Sequence, residues 1–130
     1  MSVEHAVIEK IRELSPYKQE KVLKFVDLLQ QEKEEIEQVF MELVYQWRRE
    51  TRGISSTNDF AMHPAYQQII GMGRDVVPLL LRELEQKSGQ WFWALKAITR
   101  EDPVPPDKRG KTQEMIEIWL NWGKENGYKW

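Results

Sequence analysis

Cysteine is absent from the 130 residues of this chain, and histidine is scarce. Without thiols the protein has no disulfide framework, thiolate zinc site, iron–sulfur cluster or cysteine nucleophile. His5 and His63 are far apart in the sequence, so neither belongs to a metal-binding spacing. We therefore expect no metal, no cofactor and no catalytic residues.

The chain also lacks a strong net charge and long apolar runs. Nineteen basic and twenty-one acidic side chains give a net charge of -2. No global positive field is present to hold nucleic acid or anionic lipid. The first fifteen residues are charged and have no apolar core, so we expect no signal peptide, and no later run approaches the length of a membrane span. These absences predict a cytoplasmic protein that does not contact membranes.

The N-terminal third has the pattern of two amphipathic helices. Apolar residues at steps of three and four from Val3 to Leu14 predict a short helix that ends at Ser15-Pro16. A long helix follows, because glycine and proline are absent between Tyr17 and Arg52. Its apolar residues recur in a nearly heptad series: Val22, Val26, Leu29, Ile36, Phe40, Leu43 and Trp47.

Six polar residues at positions 30–35 interrupt this series. One interpretation is a bend near residues 30–33 that folds the helix into a hairpin. We favour a continuous helix, because glutamine, glutamate and lysine are good helix formers and supply no turn chemistry.

The remaining sequence predicts short helices. Gly53 and the polar residues after it predict the end of the long helix and a loop of about ten residues. Short amphipathic helices are then predicted over residues 64–70, 74–87, 90–100 and 112–126, with a stiff proline-rich loop before the last one. The predicted fold is all-α: a helical arm over residues 1–53 and a compact bundle of about four short helices over residues 54–130.

Two segments resemble known families. The first is Ile8–Pro16, with the sequence IEKIRELSP, together with Lys21–Leu29, with the sequence KVLKFVDLL. Both resemble the opening of small bacterial antitoxin-like proteins. This resemblance implies a regulator that acts on a partner protein, which in such systems is encoded nearby.

The second resemblance lies in residues 70–84, IGMGRDVVPLLLREL, and residues 93–98, WALKAI. Their glycine, Val-Pro-x-Leu and Ala-Leu-x-x-Ile pattern is similar to a single HEAT-type helical repeat. One repeat cannot form a solenoid, so the flanking helices must cap it. The resemblance implies a HEAT-like platform that binds another macromolecule and carries no catalytic residues.

Tryptophan is the most informative residue for a binding surface. Five of the six tryptophans fall in the last forty residues. Trp91 and Trp93 are about 200° apart on a helix, so an inward Trp91 leaves Phe92 and Trp93 pointing elsewhere. Exposed aromatic residues concentrate binding energy at interfaces, which makes Phe92, Trp93 and Trp130 candidate partner-binding residues. Packing within the domain is the alternative.

The long helix offers a second candidate surface. Pairing of two copies, parallel or antiparallel, would bury the side chains of Leu29, Ile36, Phe40 and Leu43. In the alternative, residues 36–47 pack on the C-terminal helices of the same chain.

Two other functions are weaker alternatives. A nucleic-acid-associated regulator would use the basic residues Arg48, Arg49, Arg52 and Arg74. An enzyme would use His63 with Asn58 and Asp59, although a helix cap also explains a histidine before Pro64. The sequence favours a non-enzymatic protein-interaction module that binds another protein, with homo-oligomer formation through the long helix as a further expectation.

Overall fold

The computed structural model describes residues 2–54, 57–87 and 90–130, apart from the side chains of Thr57 and Lys87. The described residues contain helices and turns but no strand, so the prediction of an all-α fold is confirmed. The helices are α1 (Val3–Arg12), α2 (Pro16–Glu50), α3 (Thr57–Ala61), α4 (Pro64–Gly71), α5 (Val77–Lys87), α6 (Phe92–Thr99) and α7 (Thr112–Glu125). Short 3-10 turns at Gly73–Val76 and Pro106–Lys108 precede α5 and α7.

Helix α2 is one continuous helix from Pro16 to Glu50. The predicted continuity through residues 30–33 is therefore confirmed. The contacts between residues divide the whole chain into two compact units, Met1–Glu35 and Ile36–Trp130. The sequence predicted the division after residue 53, whereas the residues of α2 from Ile36 onward belong to the C-terminal unit.

The N-terminal unit contains α1 and the first part of α2. The Ser2 hydroxyl accepts a hydrogen bond from the His5 backbone N–H and begins α1. The Gln19 side chain donates to the Ile11 carbonyl at 2.8 Å and joins the two helices. The most protected apolar side chains of this unit are only half-buried: Ala6, Ile11, Leu14 and Val22. Across the described residues 2–35, no side chain is fully buried, so this unit lacks a closed core.

The core of the C-terminal unit is built around aromatic rings. Tyr66 stacks on Trp91, with ring centroids 5.2 Å apart. The ring centroids of Trp47 and Trp91 are 4.7 Å apart. The Tyr66 hydroxyl donates to the Gln90 carbonyl at 2.7 Å and accepts from the Ala94 N–H at 3.1 Å. These contacts join α2, α4 and the start of α6.

The structure differs from the predicted helices at two places. Helix α3 lies inside the predicted loop, where Phe60 is buried and its carbonyl accepts a hydrogen bond from Trp47 Nε1 at 2.8 Å. Ser55 and Ser56 of the same loop lie outside the described residues, as do Ser88 and Gly89, which directly follow the helix predicted over residues 74–87. Helix α5 begins at Val77 and not at Arg74, because Pro78 has no N–H to donate to the carbonyl four residues earlier.

Helix α7 packs closely on the C-terminal residue. A Cβ atom added to Gly123 would lie 2.5 Å from Leu81 Cδ1 and 2.9 Å from Trp130 Cζ3. Glycine at this position therefore allows Trp130 to pack against α7.

Candidate functional site

The C-terminal unit contains an open groove between α6, the proline-rich segment that follows it, and α7. Its cavity has a volume of about 600 Å³. The residues that line it are Phe92, Trp93, Lys96, Ala97, Asp102, Val104, Arg109, Met115 and Trp119. We call this feature the α6–α7 groove.

Apolar side chains form most of the groove. Trp119 and Val104 are buried, whereas Phe92 and Met115 are half-buried. Trp93 is 41% exposed, while Trp91 is completely buried in the core. Trp91 is the N-cap residue directly before α6, and its burial leaves Trp93 exposed, as the sequence predicted. Phe92, which was also predicted to point away from the core, instead packs partly against it. Trp93 therefore presents an exposed indole at a mostly apolar cavity.

The segment between α6 and α7 forms a stiff wall of the groove. Prolines at positions 103, 105 and 106 fix the backbone φ angle and remove three N–H donors. The Val104 N–H donates to Asp102 Oδ1 at 3.2 Å, and the Val104 side chain is buried beneath the segment. The wall is therefore held in place before any ligand binds.

The rim of the groove carries more positive than negative charge. Asp102 Oδ2 lies 3.3 Å from an Arg109 guanidinium nitrogen and 3.6 Å from Lys96 Nζ. Both basic side chains are more than half exposed. Because two cations share one carboxylate, a further carboxylate on a ligand would meet a favourable field at this rim.

The other candidate partner-binding residues do not line this groove. Trp130 is half-buried and borders a separate depression with Glu85, Lys124, Tyr128 and Lys129. Leu29 is exposed in the N-terminal unit.

Residues 36–47 pack against their own chain, which was the alternative to pairing between two copies. Phe40 is completely buried, and Ile36 and Leu43 are half-buried against the same core. These residues pack within their own chain. The fully buried Phe40 is consequently not available to a partner.

The four arginines of the nucleic-acid alternative have different surroundings. Arg48 donates to the buried Glu83 carboxylate at 2.7 Å. Arg49 lies over the Tyr45 ring, and Arg74 donates to the Tyr128 hydroxyl at 3.0 Å. Arg52 is exposed in the turn after α2. The Arg48 charge is thus balanced within the protein, which reduces the positive charge that this surface could offer to phosphate.

His63 occupies the helix-cap position that the sequence suggested. Its Nδ1 accepts a hydrogen bond from the Ala65 N–H at 3.0 Å and caps α4. Its Nε2 lies 3.6 Å from a Glu50 carboxylate oxygen. Asn58 and Asp59 are exposed on α3. The helix-cap interpretation of His63 is confirmed.

Phe92 and Trp93, which the sequence predicts to bind a partner, both line the groove, whereas the charged residues of the rim were not predicted. Asp102 was recognised only as part of a loop, and Lys96 and Arg109 stood out in no pattern. Among the residues whose positions are described, no group of three or more histidine, cysteine or acidic residues could hold a metal ion. No helix in the same part of the chain is long and apolar enough to cross a membrane.

Comparison of the chain with protein-family models, with curated proteins and with solved structures finds no match.

Proposed function

We propose that this protein is a non-enzymatic regulator that binds a short segment of a partner protein in the α6–α7 groove. The observation that carries the proposal is the exposed indole of Trp93 beside a preformed apolar cavity of about 600 Å³. Pockets of this size, mostly apolar with a few polar groups, are typical binding sites. Tryptophan and arginine are also the residues that most often dominate binding energy at interfaces.

The chemistry of the groove defines the segment that fits it. The apolar lining favours an aromatic or large aliphatic side chain as the anchor. Lys96 and Arg109 at the rim favour a carboxylate near that anchor, since Asp102 balances only one of the two positive charges. The proposed ligand is therefore a peptide segment with a bulky apolar residue close to an aspartate or glutamate.

The biological setting of the proposal comes from the resemblances in the sequence. The antitoxin-like opening over residues 8–29 supports an accessory or antitoxin-like regulator. The HEAT-like segment over residues 70–98 includes most of α6 and supports a binding platform at that place. In such a system the partner would be a protein encoded beside this one.

Selection of peptides from a random display library on the immobilised full-length protein tests the proposal without a known partner. We expect enriched peptides to combine an aromatic or large aliphatic residue with a nearby aspartate or glutamate. The replacement Trp93→Ala should lower the affinity for a selected peptide by at least about tenfold, because it removes the exposed anchor contact. Fluorescence anisotropy with a labelled copy of the peptide measures this change.

Tyr45→Ala is the matched control. Tyr45 is another exposed aromatic residue of the C-terminal unit, and it does not line the groove. We expect this variant to bind the peptide like the original protein, and far-ultraviolet circular dichroism should show that both variants keep their helices. Failure to enrich any peptide, or undiminished binding by Trp93→Ala, would contradict the proposal.

A further inference from the structure

The N-terminal unit carries a second surface that the groove does not involve. Along α2, six exposed side chains follow one another at steps of 3, 4, 3, 4 and 3 residues. Such steps place them in one row along one side of a helix. They are Lys18, Lys21, Phe25, Leu28, Glu32 and Glu35, and we call this row the 18–35 stripe.

The centre of the 18–35 stripe is apolar and uncovered. Phe25 is 61% exposed and Leu28 is 63% exposed, and the neighbouring Leu29 is also exposed. Helix α1 contacts a different side of α2, where Val22 is half-buried and Gln19 bonds to the Ile11 carbonyl. The pairing of α1 with α2 therefore leaves the stripe free.

The two ends of the stripe have opposite charges. Both side chains on the N-terminal side of Phe25 are lysines, and both on the C-terminal side of Leu28 are glutamates. Like charges three residues apart on a helix destabilise it slightly. Among the ion pairs in the described part of the chain, none involves Lys18, Lys21, Glu32 or Glu35. Lys21 Nζ lies 4.9 Å from the centroid of the Tyr17 ring. None of the four charges is therefore balanced by an opposite charge within the described residues.

We propose that the 18–35 stripe pairs with the same stripe of a second copy of this chain in antiparallel orientation. In that orientation Phe25 of one copy lies against Leu28 of the other, and Lys21 lies against Glu32. Lys18 then meets Glu35 in the outermost layer. Each of these three pairs forms one layer of the interface, and the two residues of a layer occupy the two different positions of the 3-4 repeat, as in antiparallel coiled coils. The twofold symmetry of the dimer makes every pair occur twice.

The charge pattern determines which partner fits the 18–35 stripe and in which orientation that partner binds. A second copy offers an identical stripe whose reversed charges complement the first at every layer. A parallel pair in register would instead place Lys21 on Lys21 and Glu32 on Glu32, which is repulsive. The stripe is thus self-complementary only when it is antiparallel.

Charge reversal tests this pairing in the full-length protein. We expect sedimentation equilibrium of the original chain to show a monomer–dimer equilibrium. The double replacement Lys18→Glu with Lys21→Glu should raise the dimer dissociation constant by at least about tenfold, since four attractive pairs become repulsive. Adding Glu32→Lys and Glu35→Lys to that variant should restore the original affinity, because the antiparallel pairs become complementary again.

Reversal of two exposed charges off the stripe provides the control. Glu20→Lys with Asp27→Lys changes the same number of charges on another side of α2 and should leave the dimer intact. A monomeric original chain at all accessible concentrations would overturn the proposal. Dimerisation that is insensitive to the first reversal, or not restored by the second, would also overturn it.

Disulfide cross-linking tests the orientation directly, because the chain has no cysteine of its own. Under oxidation, a mixture of Lys21→Cys and Glu32→Cys proteins should form a disulfide between the two variants. Neither variant should cross-link efficiently to itself. Efficient cross-linking of each variant alone would indicate parallel pairing, and no cross-linking in the mixture would contradict the antiparallel layers.

Discussion

At the scale of single residues, Tyr66 shows how a polar group is held in the core of the C-terminal unit. Its ring stacks on Trp91, and its hydroxyl bonds to the Gln90 carbonyl and the Ala94 N–H. Burial raises the pKa of Tyr66 above its ordinary value, and the hydrogen bond from Ala94 opposes this shift only in part. The folded protein therefore disfavours the phenolate.

This shift predicts a loss of stability in alkaline solution. In the unfolded chain Tyr66 loses its proton near pH 10, whereas in the folded protein it stays neutral to higher pH. Above about pH 10 the unfolded state binds fewer protons than the folded state. The contribution of Tyr66 to the free energy of unfolding therefore falls as pH rises. Stability below this range is unaffected by the shift.

Tyr66→Phe isolates this contribution in urea unfolding experiments. At about pH 8 we expect the variant to be less stable by about 1–3 kcal/mol, because the buried Ala94 N–H and the partly buried Gln90 carbonyl lose their partner. The difference should shrink at about pH 11, because ionisation of Tyr66 in the unfolded chain lowers the stability of the original protein and is absent from the variant. An unchanged difference at the two pH values would contradict this account.

At the scale of secondary-structure elements, the end of α6 determines the start of the groove wall. Arg100 has a left-handed backbone conformation with φ 60°, and its N–H donates to the Lys96 carbonyl at 2.8 Å. A residue with a Cβ atom is strained in this conformation, whereas glycine is not.

Arg100→Gly should therefore stabilise the protein by about 0.5–1 kcal/mol, measured as the free energy of unfolding in urea. Arg100→Ala is the matched control, because alanine removes the same long side chain but keeps the Cβ atom. We expect no gain from alanine. Equal effects of the two replacements would show that the backbone conformation at this position is not the cause.

The helices were predictable to different degrees for physical reasons. The continuity of α2 follows from a long stretch of good helix formers, and its local sequence is sufficient to predict it. Helix α3 was missed because its polar residues favour a loop, while the burial of Phe60 and the bond from Trp47 to its carbonyl come from tertiary packing. Local propensity carries no information about such a contact.

At the scale of the whole molecule, the sequence indicated part of the candidate site. The angle between Trp91 and Trp93 on a helix predicted an exposed indole, because that geometry is local. The rim could not be predicted in this way. Lys96 lies on α6, Asp102 in the following segment and Arg109 before α7, and only the folded chain brings their charges together.

The burial of the other aromatic residues also depends on the folded chain. The indoles of Trp47, Trp91, Trp119 and Trp122 are buried within it, so the excess of tryptophan does not itself indicate a partner. Trp93 differs from these four, because its exposed ring lines the α6–α7 groove.

The most direct test of the groove is a nitrogen–proton nuclear magnetic resonance titration with a peptide obtained from the library selection. The six tryptophans supply indole N–H signals in several parts of the chain. We predict that the signals of Trp93 and Trp119 change progressively with added peptide, while that of Trp47 in the aromatic core stays constant. Unchanged Trp93 and Trp119 signals in a sample that binds the peptide would place the binding site elsewhere and contradict the account.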